Sequence, residues 1–170
     1  MGRLSPIKDF GTLIRAASLA RNEQMSLEVR IVGRAVMPAD HAYARELSDL
    51  VSRLGVSDIV HFFGFVPYRD MAAQYRWADV VVGCTPPGGL DKAVLEGMAA
   101  GCVALTSNDV MADSLGERPE RFLFPHGDSE ALADRLSALG DWDVLRDLMV
   151  REVTARHNGA VTAARIAELL

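Results

Sequence analysis

The sequence predicts an α/β domain, a Rossmann-like parallel sheet flanked by helices. Short apolar runs alternate along the chain with stretches of helical period, the pattern of parallel strands covered on both faces. One stretch, residues 78–101, reads as an apolar strand, a turn rich in glycine and proline, and a short helix. That unit is a common way to offer backbone N–H groups to a phosphate. The 170 residues suffice for one domain with its own core. No repeat or linker divides residues 1–170, so a single domain is expected.

Taken in order, Ser5 followed by Pro6 reads as an N-cap and first helical residue. Phe10, Leu13, Ile14, Ala17 and Ala20 mark one face of that helix through Arg21. Residues 27–33 form a strand ending in Gly33. Asp40 caps a second helix, with Tyr43, Leu47, Leu50, Val51 and Leu54 on its buried face and Gly55 as its stop. Strands follow at 58–64, 78–83, 102–106 and 121–124, with a short helix at 68–77. Helices are expected at 129–139, 142–157 and 160–170. A doubly wound sheet in the order 3-2-1-4-5-6 has its first strand in the middle. Here the chain opens at what reads as the loop after that strand. The expectation is therefore a gap between the strands at 27–33 and 78–83, with open apolar edges, and a chain that is a fragment of a longer protein.

The formal net charge of −5 argues against nucleic acid as the main partner. Cys84 and Cys102 are the only cysteines and make neither a disulfide framework nor a metal-ligand spacing. His61 and His126 stand alone, so no metal site is expected, and no cofactor. The lack of an apolar run of about 20 residues and of a signal-peptide core makes a cytoplasmic location the default.

The chemistry is concentrated at the turn and helix. A helix start gathers unpaired N–H donors and the positive end of the macrodipole. Glu96 lies five residues past Asp91, about 7.5 Å along a helix axis, a step that suits the distance from a diphosphate to the ribose of one nucleotide. A carboxylate is a natural acceptor for a ribose diol. Taken alone, Lys92 and Glu96 also read as an i,i+4 surface pair, Arg3 and Lys8 as solvated charges, Asp91 as a first-turn acid, and Cys84 as a small buried filler.

The ordered set Gly2-Arg-Leu-Ser-Pro-Ile-Lys-Asp-Phe10, Arg30-Ile-Val-Gly33, Val60-His-Phe-Phe-Gly-Phe-Val-Pro67, Ala78-Asp-Val80, Leu90-Asp-Lys-Ala-Val-Leu-Glu-Gly-Met-Ala-Ala-Gly101 and Phe122-Leu-Phe-Pro-His-Gly-Asp128 covers nearly the whole chain. It resembles the C-terminal, donor-binding domain of the group 1 (family four) retaining glycosyltransferases, which have the two-domain GT-B fold. The resemblance implies a domain that binds a nucleoside diphosphate sugar, such as a UDP- or GDP-sugar, for transfer to a carbohydrate or lipid-linked acceptor, as in polysaccharide biosynthesis. It implies that Arg3 and Lys8 grip the diphosphate, with the backbone of Gly89, Leu90 and Asp91. It further implies that Glu96 holds the ribose, and that Phe65 and Val66 contact the base. The family's first motif glutamate would fall at Gly88, a departure that bears on the sugar and on activity. The acceptor side and a reaction-centre histidine come, in the family, from an N-terminal domain. No residue of this chain is therefore assigned as catalytic, and the isolated chain is expected to transfer nothing. Two alternatives stay open, a non-catalytic nucleotide-binding or regulatory module and a nucleotide-sugar epimerase of related fold. A nicotinamide-dependent oxidoreductase is disfavoured, because no Gly-x-Gly-x-x-Gly follows an opening strand.

Overall fold

The computed structural model describes residues 2–157. Two parallel strand pairs form its framework. β1 (Val29–Val32) pairs with β2 (Val60–Gly64), and β3 (Val80–Gly83) with β4 (Val103–Thr106). The two pairs are separate sheets, with no ladder between β1 and β3. The expected class and its central gap are both present. Among the described residues, six α-helices flank the strands: α1 (Phe10–Asn22), α2 (Pro38–Leu54), α3 (Met71–Trp77), α4 (Lys92–Ala99), α5 (Ser129–Ser137) and α6 (Trp142–His157). The helix expected at 160–170 lies outside the described residues.

Helix starts differ from the sequence expectation at two places, each for a local reason. Ser5 caps nothing with its side chain; Pro6–Lys8 is a single 3-10 turn. Asp9 then enters the left-handed region at φ 41°, which breaks the turn from α1. Its carboxylate accepts from Thr12 N at 3.4 Å and Thr12 Oγ1 at 2.6 Å, so Asp9 is the N-cap. At α2 the N-cap is Met37 and Pro38 is the first helical residue. Pro38 fits there because the first turn has no use for its missing N–H. Asp40, three residues in, reaches back to accept from Met37 N at 3.0 Å and Val36 N at 3.2 Å.

The last expected strand shrinks to one parallel bridge, Thr106 with Leu123, after a 3-10 turn at Pro119–Arg121. Phe122 and Phe124 are buried on either side of it and serve as packing anchors.

Two apolar clusters follow the two strand pairs. One gathers Ile14, Ile31, Leu47, Val51 and Val60 beneath β1 and β2. The other gathers Val94, Met98, Leu105, Met111, Leu132 and Met149 around β3 and β4. Each such side chain contributes about 1.5–3 kcal/mol by leaving water. Gly97 decides how closely α4 approaches β3: a Cβ there would lie 2.6 Å from Val81 Cγ1 and 2.7 Å from Val81 Cβ. The guanidinium of Arg30 lies over Trp77, 3.4 Å from the ring centre, and near Phe63 at 4.6 Å, tying β1 to β2 and α3.

Candidate donor site

The carboxyl ends of β1, β2 and β3 open into one cavity of about 950 Å³. This is where open parallel sheets take ligands. Its wall comes from the loop before α1, the turns after β1 and β2, α3, and the stretch from Thr85 to Glu96. All eight residues singled out from sequence lie along it: Arg3, Lys8, Phe65, Val66, Gly89, Leu90, Asp91 and Glu96.

The two cations are held, not free. Lys8 Nζ lies 3.5 Å from Asp91 Oδ2, with Lys8 27% exposed. Arg3 Nε lies 3.4 Å from the buried Asp40 carboxylate. The Met37 amide, with Val36 and Arg3 adding to it, holds the Asp40 carboxyl below its ordinary value against the opposing effect of burial. Each cation keeps donors to spare, since Lys carries three and Arg five. Asp91 is the N-cap of α4 and accepts from Ala93 N at 3.2 Å and Thr85 Oγ1 at 3.3 Å. The amides of Gly89, Leu90 and Asp91 donate to no other group among the described residues.

Several residues that position the site carry no signal in the sequence pattern. Tyr75 Oη donates to Glu96 Oε2 at 2.8 Å. Burial, and then this bond, push the Tyr75 phenol well above its ordinary value. Tyr75 therefore stays a donor and fixes one oxygen of Glu96. No ion pair links Lys92 to Glu96 among the described residues. Behind the glycine turn, Asn108 Nδ2 donates to Gly89 O and Ser107 Oγ to Thr85 O, each at 2.8 Å. Arg34 lies over the Phe65 ring at 4.8 Å from its centre, and Phe65 is 61% exposed. These contacts join residues far apart in the chain, which is why spacing does not reveal them.

Gly33 admits the first loop. Its φ is +147°, and a Cβ there would stand 1.6 Å from Gly2 O. Gly88 differs: a Cβ at that position meets nothing nearer than Pro86 O at 3.9 Å. Cys84 is buried, and burial, foremost, pushes its thiol up to about 12. Among the described residues no group of His, Cys, Asp and Glu could hold a metal ion, and no helix is long and apolar enough to cross a membrane.

A parallel α/β framework thus opens at its strand ends into a cavity lined by cations, backbone amides and two carboxylates. The sequence profile described as glycosyl transferases group 1 matches residues 1–141. The chain belongs to that family, and its fold is the C-terminal half of GT-B. D-inositol 3-phosphate glycosyltransferase of Thermobispora bispora is 30% identical over 99% of the chain, which covers 41% of that protein. The chain thus spans about two fifths of that relative. The crystal structure of Anabaena HepE in complex with UDP superposes with a TM-score of 0.80 at 24% identity, over 99% of this chain and 47% of that one. The C-terminal domain of a group 1 glycosyl transferase (LpcC) of Francisella tularensis gives 0.81 at 23% identity, over 94% of this chain and 84% of that one. Both structures share the fold.

Proposed function

We propose that the cavity binds a nucleoside diphosphate sugar and that the chain is the donor half of a retaining glycosyltransferase. Its acceptor is a carbohydrate or a lipid-linked one. The reading rests on one observation: cations, free amides and a fixed carboxylate share one cavity, in the order a sugar nucleotide needs. Arg3, Lys8 and the amides of Gly89 to Asp91 take the diphosphate. The Lys8–Asp91 pair divides Lys8 between carboxylate and phosphate, so the bound diphosphate completes a network already present. Those same donors stabilise the charge that grows on the leaving diphosphate as the bond to the sugar breaks. Glu96, steadied by Tyr75, accepts from the ribose hydroxyls and sets the register of the donor. Arg34 and Phe65 offer a flat face to the base.

The UDP complex of the structurally similar HepE and the glycosyltransferase names of relatives such as the Thermobispora bispora protein support the reading. The acceptor, and the groups that act on it, belong to a separate N-terminal domain, and the complete enzyme works in the cytoplasm, peripheral to the membrane through that domain. A second reading, a module that binds nucleotide without chemistry, is favoured by one feature, Gly88 where the family has its first motif glutamate.

The test is calorimetric titration of nucleoside diphosphates and their sugars into the protein. Replacing Arg3 and Lys8 together by Ala is expected to weaken diphosphate binding at least about tenfold per cation, from the loss of about 1.5–3 kcal/mol for each charged hydrogen bond, and to flatten its salt dependence. Unchanged affinity would remove the diphosphate from this cavity.

A further inference from the structure

Arg3, Lys8, Arg34 and Lys92 all line the donor cavity, and the first three are engaged. Arg3 Nε lies 3.4 Å from Asp40 Oδ2 and Lys8 Nζ 3.5 Å from Asp91 Oδ2. The Arg34 guanidinium lies over the Phe65 ring. Lys92 differs: among the described residues it has no ion pair, hydrogen bond or ring contact.

Lys92 also stands where a lysine does not suit its helix. It is the first residue of α4, and the first turn of α4 holds no acidic residue. A cation there opposes the positive end of the macrodipole. The acid four residues on is Glu96, and Lys before Glu is the poorer order for such a pair. Glu96 gives an oxygen to Tyr75 instead. Asp91, next to Lys92 in the chain, is divided between Lys8, Thr85 and the Ala93 amide. The Lys92 side chain is exposed, so burial does not offset the unfavourable charge.

The same placement favours an anion in the cavity. Cα–Cβ bonds of a helix tilt toward its N-terminus. Lys92 therefore leans toward the turn whose Gly89, Leu90 and Asp91 amides donate to no other described group. We propose that Lys92 is a further binding residue for the diphosphate, placed at the helix start although it lowers the stability of α4. The inference rests on the donor reading given above. Arg3 and Lys8 bring charges already balanced in part by carboxylates, whereas Lys92 brings one that is not. As an exposed point charge, it attracts the diphosphate most strongly at low ionic strength. The bound anion in turn relieves the repulsion between Lys92 and the helix start.

The test titrates a nucleoside diphosphate into the native protein, Lys92→Gln and Lys92→Arg, at low salt and at about 0.5 M salt. The Tm of each is recorded without ligand. Gln matches Lys in helix propensity, so the charge is the main change. Lys92→Gln is expected to raise the ligand-free Tm by about 1–4 °C. It is expected to weaken binding about tenfold at low salt, a gap that narrows at high salt. Lys92→Arg is expected to keep both native values. Equal affinity of the native protein and Lys92→Gln would overturn the proposal, as would a loss that salt does not narrow. A lower Tm for Lys92→Gln would also overturn it, since Lys92 would then be a structural residue. A native protein that binds no nucleoside diphosphate would overturn the donor reading itself, and this inference with it.

Discussion

At the scale of single residues, the site depends on charges whose partners are inside the protein. Asp91 serves α4 as its cap and Lys8 as its counter-ion, so it is committed to structure before any sugar arrives. Glu96 has one oxygen on Tyr75 and lines the cavity. Cys84 shows how burial removes a reactive group from contention. Its thiol, ordinarily at 9.0, is raised to about 12, so it is protonated near neutrality and a poor nucleophile. Alkylation of the native protein at pH 7.5, followed by mass spectrometry, is expected to leave Cys84 unmodified until the chain unfolds. The sign for stability follows from the raised value: the contribution of Cys84 is fully present below pH 9 and is lost as pH rises toward 12, because the unfolded chain releases the proton first. Rapid native labelling would contradict the burial. The identities of Glu96, Arg3 and Lys8 were legible through an ordered set of motifs. Tyr75, Asn108 and Ser107 were not, because their bonds cross about twenty residues of chain and depend on which helix face meets which turn.

At the scale of elements, the alternation of short apolar strands with helices was readable because a parallel sheet leaves no polar alternation to confuse it. Boundaries were less so. Both Ser5-Pro6 and Asp9 are valid helix-start signals, and only the left-handed backbone of Asp9 decides between them. Asp40 was legible as a capping residue but not as an N3 residue reaching backward. The segment at 121–124 has the apolar residues of a strand, yet only Leu123 is bridged. Gly97 carries an element-scale prediction. Gly97→Ala gains up to about 1 kcal/mol in helix propensity. It also drives a methyl group against Val81 Cβ, which no rotamer change can move, at an overpacking cost of about 1–3 kcal/mol. The clash wins, and a net loss of up to about 2 kcal/mol is expected in urea unfolding. A gain in stability would mean that α4 stands further from β3.

At the scale of the whole molecule, a general rule of strand order pointed to the gap between β1 and β3. The same rule placed the ligand at the strand ends, where the cavity is. What the sequence pattern does not carry is how the first loop rejoins the sheet, through Gly2 and Leu4 pairing with Val32 and Arg34. Gly88 also belongs to this scale, since under the proposed reading its consequence is read where donor and acceptor meet. The space around it is open, so Gly88→Glu is expected to leave Tm within about 2 °C, as surface substitutions usually do. If the proposed reading holds, a rise in sugar transfer by Gly88→Glu would mark a lost contact. Unchanged transfer would mean that the site works without that carboxylate.

Under the proposed reading, Glu96 holds the ribose of a nucleotide whose diphosphate lies against Arg3 and Lys8. The most direct measurement is a cycle of four dissociation constants: a nucleoside diphosphate and its 2′,3′-dideoxy counterpart, each titrated into the protein and into Glu96→Gln. The native protein is expected to bind the dideoxy compound about tenfold more weakly, equivalent to about 1.4 kcal/mol, and Glu96→Gln to discriminate much less between the two. An equal penalty for the dideoxy compound in both proteins would contradict the assignment of Glu96 to the ribose.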